Sequence, residues 1–120
     1  MRAKLLNDVL EDFWHGESQT EAAAVISSDG LLMGARLPES FDEDRLAAIS
    51  SAMLSLAGRA ADEFSRGDIE QVIITGEQGN FLICRACDDA VVVTMTSAQA
   101  QLGMVLHECR RLAAEVGQIL

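Results

Sequence analysis

Residues 40–64 read SFDEDRLAAISSAMLSLAGRAADEF, and the interpretation of this stretch decides the fold. Ser40 and Glu43 have the spacing of a capping box, in which the hydroxyl and the carboxylate each satisfy a free backbone N–H. Asp42, Glu43 and Asp44 complement the positive end of a helix. The pattern predicts a helix from Ser40 to about Ser65, stopped at Gly67. Its apolar residues occupy more of the circumference than a surface helix needs. Leu46, Ile49, Met53, Leu56, Ala60 and Phe64 form one stripe at helical spacing. Ala47, Ser51, Leu54, Gly58, Ala61 and Ser65 form a second, built mainly from small residues that let another backbone approach. The expectation is a helix that packs on its own sheet through the first stripe and on a partner chain through the second.

Working outward, residues 2–14 predict a first helix with Leu5, Leu6, Val9, Leu10 and Phe13 on one face and Gly16 at its end. After a polar link at 17–21, the runs 22–27 and 31–37 flank Ser28-Asp29-Gly30, a hairpin signal because Asp-Gly tolerates positive φ. Gly34 suggests a bulge or a close backbone neighbour in the second run. Beyond the central helix, 69–75, 80–86 and 90–96 are apolar runs joined by short turns, hence antiparallel neighbours. Their apolar residues are consecutive, the pattern of a sheet covered on both faces. A last helix is predicted from Thr96 or Ser97, with Thr96 and Gln99 as a second capping box and Leu102, Val105, Cys109, Leu112, Val116 and Ile119 as its apolar stripe. Gly103 near its start costs helix propensity, which suggests another backbone close by. The fold class that follows is α/β (α+β), one domain over residues 1–120, in the order α-β-β-α-β-β-β-α. Its five-stranded antiparallel sheet carries the first and last helices on one face and the central helix on the other.

Bulk composition limits the partners. With 9 basic and 19 acidic residues the net charge is −10, which argues against nucleic acid and against an anionic membrane surface. No apolar run reaches the roughly 20 residues of a membrane-spanning helix. The charged, broken N-terminal stretch is unlike a secretory leader. With three cysteines and no sign of export, a cytoplasmic location with reduced thiols is expected.

No constellation resembles a catalytic site, so no enzyme activity, cofactor or metal is expected. Cys84 and Cys87 have redox spacing but fall at the end of a strand rather than at a helix N-terminus, and three residues apart on a strand they should face opposite ways. A zinc site needs about four ligands, and only His15, His107 and Cys109 could complete one. His107-Glu108 opens like a metalloprotease helix, but Arg111 stands where the second His belongs. Gly76-Glu77-Gln78-Gly79 has no following Lys and reads as a turn; Asp88-Asp89 likewise. Arg45, Arg59 and Arg66 recur at multiples of seven outside both apolar stripes. They could pair within the helix, Arg59 with Glu63 or Asp62 with Arg66, or form a docking strip for an acidic partner.

The ordered set of local sequences resembles the roadblock (dynein light-chain) family, particularly its prokaryotic, MglB-like members. The matching pieces are the 26–35 hairpin ISSDGLLMGA, the small-rich helix DRLAAIS at 44–50, GDIEQVII at 67–74, GNFLI at 79–83, AVVV at 90–93, and Leu102-Gly103 opening the last helix. The resemblance implies a homodimer or heterodimer whose third strands pair across the interface and whose central helices lie side by side. The implied interface residues are Ala47, Ser51, Leu54, Gly58 and Ala61 on the helix, and Ile69, Gln71 and Ile73 on the 69–75 strand. It implies binding to a small Ras-like GTPase, as a GTPase-activating protein or a scaffold, with no nucleotide site of the chain's own. A nucleotide-indifferent scaffold in a signalling or motor assembly is the alternative. A profilin-like or PAS-like ligand sensor would need a cavity with polar groups, and the apolar strands with few aromatics argue against it.

Overall fold

The computed structural model describes residues 2–16 and 20–120, with the side chains of 15 and 16 excluded. The expectations for His15 and for the link at 17–19 lie outside the described residues. Eight elements follow in the anticipated order: α1 Arg2–Gly16, β1 Thr20–Ser27, β2 Leu32–Arg36, α2 Glu43–Glu63, β3 Gln71–Gly76, β4 Gly79–Cys87, β5 Ala90–Ser97 and α3 Leu102–Ile119. The five strands form one antiparallel sheet in the order β2-β1-β5-β4-β3. β1 and β5, far apart in sequence, zip the hairpin to the three-stranded meander.

Strand alternation sends each apolar run to both faces. Ala23 and Val25 of β1, with Leu82, Cys84, Ala90 and Val92, pack under Leu6, Leu10 and Phe13 of α1 and Cys109, Leu112, Ala113 and Val116 of α3. Ala24 and Ile26, with Ile83, Val91 and Val93, pack under Leu46 and Ala47 of α2. Burial on two sides is why consecutive positions of β1, β4 and β5 are apolar; β3 departs from that expectation, since it lies at the sheet edge with Ile73 36% and Ile74 44% exposed.

The 28–30 turn forms as read. The Gly30 N–H donates to the Ser27 carbonyl at 3.0 Å, and Gly30 adopts φ +84°. At Gly34 a Cβ would sit 3.3 Å from the Leu6 Cβ and 3.2 Å from the Asn7 Oδ1, so the glycine admits α1 against β2. The register also slips beside it, where Val25 pairs with Gly34 and Ile26 with Leu32.

Several boundaries differ from the sequence reading, each because a competing local bond is available. α2 is capped by Asp42, not Ser40: its carboxylate accepts from the N–H groups of Asp44 at 3.0 Å and Arg45 at 3.2 Å. The residues after Pro38 are taken up by a turn in which the Phe41 N–H donates to the Pro38 carbonyl. α2 ends before Gly67 because Ser65 itself takes φ +54° and the Arg66 N–H reaches back to the Ala61 carbonyl, a Schellman closure. α3 starts later than expected. Thr96 remains in β5, where its buried hydroxyl accepts from Asn80 Nδ2 at 3.2 Å, leaving no cap for Gln99 to complete. Gly103 has nothing within 4 Å of a Cβ position, whereas a Cβ on Gly117 would overlap the carbonyl oxygen of Ala86. The close approach of α3 to the sheet is therefore at its C-terminal end.

Candidate interaction surface

The two stripes of α2 are not divided as the sequence suggested. Ala47 and Ala61, from the small-residue stripe, are only 5% and 8% exposed and lie beneath the helix. Ser50 is fully buried, and Leu46, Met53 and Leu54 pack against the α2-side cluster. Three of the large residues expected in the core are instead in solvent: Ile49 is 49%, Leu56 68% and Phe64 72% exposed. Ala60 is exposed with them. The physical reason is angular. At about 100° per residue the buried face of α2 falls between the two stripes, taking Leu46 and Met53 from one and Ala47 and Leu54 from the other, and Ile49 and Leu56 are left to one side of it.

The exposed arc is bordered by the last strand of the sheet. β3 pairs only with β4 among the described strands, leaving its outer backbone edge open. Val72 lies opposite Ile83 and Ile74 opposite Phe81, which places both on the α2 face; Ile74 is 44% exposed. Between the C-terminal half of α2 and β3 lies an open groove of about 410 Å³, lined mainly by Ala57, Ala60, Phe64, Ile69 and Val72. Apolar helix arc, apolar groove and open strand edge thus form one continuous surface.

The residues expected at an interface fall in several places. Ala47 and Ala61 are covered by their own chain. Ser51, Leu54 and Gly58 are half-buried and line a second cleft of about 290 Å³ at the end of the sheet. Ile69 is half-buried just before β3. Gln71 opens β3 on the opposite face, where its side-chain oxygen accepts from Arg110 at 2.9 and 2.7 Å. Ile73, opposite Leu82, shares that face. Phe64 and Ile74 join the surface without having been singled out as contact residues. The alternation of Val72 and Ile74 was the available signal.

Arg45 and Arg59 are exposed and neither forms an ion pair among the described residues. At helical spacing Arg45 neighbours Ile49, and Leu56 neighbours Arg59, so both guanidinium groups flank the apolar arc. Neither anticipated intrahelical pair forms. Arg66 instead donates through Nε to the Phe64 carbonyl at 2.9 Å and helps finish the helix.

The other candidate chemistry resolves into structure. His107 is exposed, and Glu108 pairs with Arg111, which also reaches Glu115 at 3.8 Å. Residues 76–79 form the β3–β4 turn and Asp88-Asp89 the β4–β5 turn. A bulge between Arg85 and Cys87 breaks the alternation, so half-buried Cys87 packs toward the same cluster as Cys84 rather than on the opposite face. Among the described residues no group of three or more His, Cys, Asp or Glu is placed to hold a metal. No helix among them is long and apolar enough to cross a membrane.

Residues 6–96 match the Roadblock/LC7 domain. A protein of uncharacterised function from Methanocaldococcus jannaschii is 32% identical over 96 residues, covering 80% of this chain and 83% of the relative. Among solved structures, MglB of Myxococcus xanthus superposes with a TM-score of 0.90 at 14% identity, covering 98% of this chain and 88% of that one. The gliding protein MglB of Thermus thermophilus superposes at 0.88 with 18% identity, covering 98% and 90%. At these identities the two structures speak to fold.

Proposed function

The chain belongs to the Roadblock/LC7 family, and from that membership we propose that it is a cytoplasmic, non-enzymatic homodimer that binds and regulates a small Ras-like GTPase. The observation carrying this reading is the continuous apolar surface formed by Ile49, Leu56 and Phe64 of α2, the groove beside them and the open edge of β3. In the proposed dimer, β3 pairs with its symmetry mate and the two α2 helices meet through the exposed arc. A two-fold contact of this kind is self-complementary, so each residue acts twice. Gln71 and Ile73 stay in the proposed interface as strand-edge residues, and Ile69 and Ala61 through the groove they line; Ser51, Leu54 and Gly58 face the second cleft, away from the exposed arc, and Ala47 is buried against its own sheet.

Arg45 and Arg59, unpaired beside the arc on a chain of net charge −10, suit an acidic patch on the partner, and Arg66 extends that strip at the helix end. The resemblance to MglB-like proteins supports GTPase activation by reshaping the partner's own machinery, so none of these arginines is given a catalytic role.

The test is titration of the purified protein against Ras-like GTPases loaded with GDP or with a non-hydrolysable GTP analogue, alongside single-turnover hydrolysis. Binding that favours one nucleotide state is expected, with faster hydrolysis if the chain is an activator. Equal binding in both states would identify a scaffold. No binding at high protein concentration would end the GTPase reading.

A further inference from the structure

The sequence draws attention to Cys84 and Cys87, but the fold brings Cys84 to a different thiol. Cys84 of β4 and Cys109 of α3 lie in the same core cluster, and each thiol is the group that most strongly shifts the other. Both are free. They differ in access. Cys109 is completely enclosed, whereas Cys84, itself only 2% exposed, forms part of the floor of an open groove of about 480 Å³ between the β3–β4 edge and α3. Gln71, Arg85 and Arg110 line the same groove, and the Arg110–Gln71 hydrogen bonds span it from α3 to β3.

We infer that Cys84 and Cys109 form a reversible disulfide that staples α3 to β4 when the protein meets a hydroperoxide, with Cys84 as the attacking thiol and Cys109 as the resolving one. With hydrogen peroxide as the hydroperoxide, Cys84 Sγ, as thiolate, attacks one peroxide oxygen; the O–O bond breaks and hydroxide leaves, giving a sulfenic acid on Cys84. Cys109 Sγ then attacks the Cys84 sulfur. The S–S bond forms, the S–O bond breaks, and the departing hydroxide takes the Cys109 proton as water. Two thiols are oxidised and one peroxide is reduced to water. The roles follow from the environment as well as from access. The hydrogen bond from Cys109 lowers the Cys84 thiol from its ordinary value despite burial, and the Arg110 guanidinium assists. The same contact and near-complete burial push the Cys109 thiol far up. A thiolate beside a cation is the reactive form of cysteine.

The experiment uses the folded full chain and its Cys87→Ser and Cys109→Ser variants. Each is exposed to hydrogen peroxide, alkylated, and examined by intact mass and peptide mapping. Wild type and Cys87→Ser should each lose two hydrogen masses and yield a peptide joining Cys84 to Cys109, both reversed by dithiothreitol. Cys109→Ser should stop at a Cys84 sulfenic acid that dimedone traps. Should that variant not fold, the map of Cys87→Ser decides alone. A Cys84–Cys87 link, links between chains only, or a Cys87→Ser protein that keeps both thiols after treatment would overturn the inference.

Discussion

Leu56→Glu tests the proposed interface with little disturbance to the fold. Leu56 is 68% exposed in the single chain, and Leu and Glu have similar helix propensity, so the substitution should alter folding stability by less than about 0.5 kcal/mol. Burying a whole Leu side chain contributes about 1.5–3 kcal/mol, so the exposed two thirds would contribute about 1–2 kcal/mol on dimerisation. Two-fold symmetry counts that contribution twice, about 2–4 kcal/mol, which corresponds to a dimer dissociation constant weakened about 30- to 1,000-fold. Two buried carboxylates would add to the loss. Sedimentation equilibrium over a concentration series gives the constant, and thermal unfolding of the monomer gives the stability. Leu54→Glu is the companion: Leu54 packs against its own sheet, so this variant should lose folding stability. A Leu56→Glu protein that dimerises as tightly as wild type would refute the assignment of the arc to the interface.

Helix ends and helix glycines provide further tests. Asp42→Ala should cost about 1 kcal/mol in thermal or denaturant unfolding, while Ser40→Ala should leave the midpoint unchanged, because Asp42 accepts the free N–H groups of Asp44 and Arg45. Gly103→Ala should stabilise by up to about 1 kcal/mol, with open space at its Cβ. Gly117→Ala should destabilise by about 1–2 kcal/mol despite the same gain in propensity, because the Ala86 carbonyl occupies the methyl's place. Charge reversal at Arg45 and Arg59 together should slow association with a cognate GTPase about 10-fold at low salt, with the difference fading as salt rises. Stopped-flow binding at two ionic strengths would show it, and an unchanged rate would move the docking site elsewhere.

The order and type of every element were legible because each announces itself locally. Three amphipathic or apolar helical periods, the Asp29-Gly30 turn and three closely spaced apolar runs leave few arrangements open. The two-faced burial of β1, β4 and β5 could be read from consecutive apolar residues, and the side-by-side placement of α1 and α3 followed from it. Cap positions were less legible. Ser40, Asp42, Ser65 and Gly67 are all competent terminators, and the choice among them rests on bonds of about 1 kcal/mol that depend on how Pro38 and β3 are held.

Periodicity established that α2 carries two apolar arcs, and composition that one of them is built from small residues. Which residues turn toward the sheet depends on the rotation of the helix about its own axis, set by both packing partners together. That rotation placed Leu46 and Ala47 over the sheet and left Leu56 and Phe64 outside. The Cys84–Cys109 contact is of the same kind. Spacing along the chain relates a cysteine only to its local neighbours, whereas the packing of α3 on β4 brings together thiols far apart in sequence. Local chemistry thus wrote the list of elements, and close packing between distant segments decided which side chains meet and which remain free for a partner.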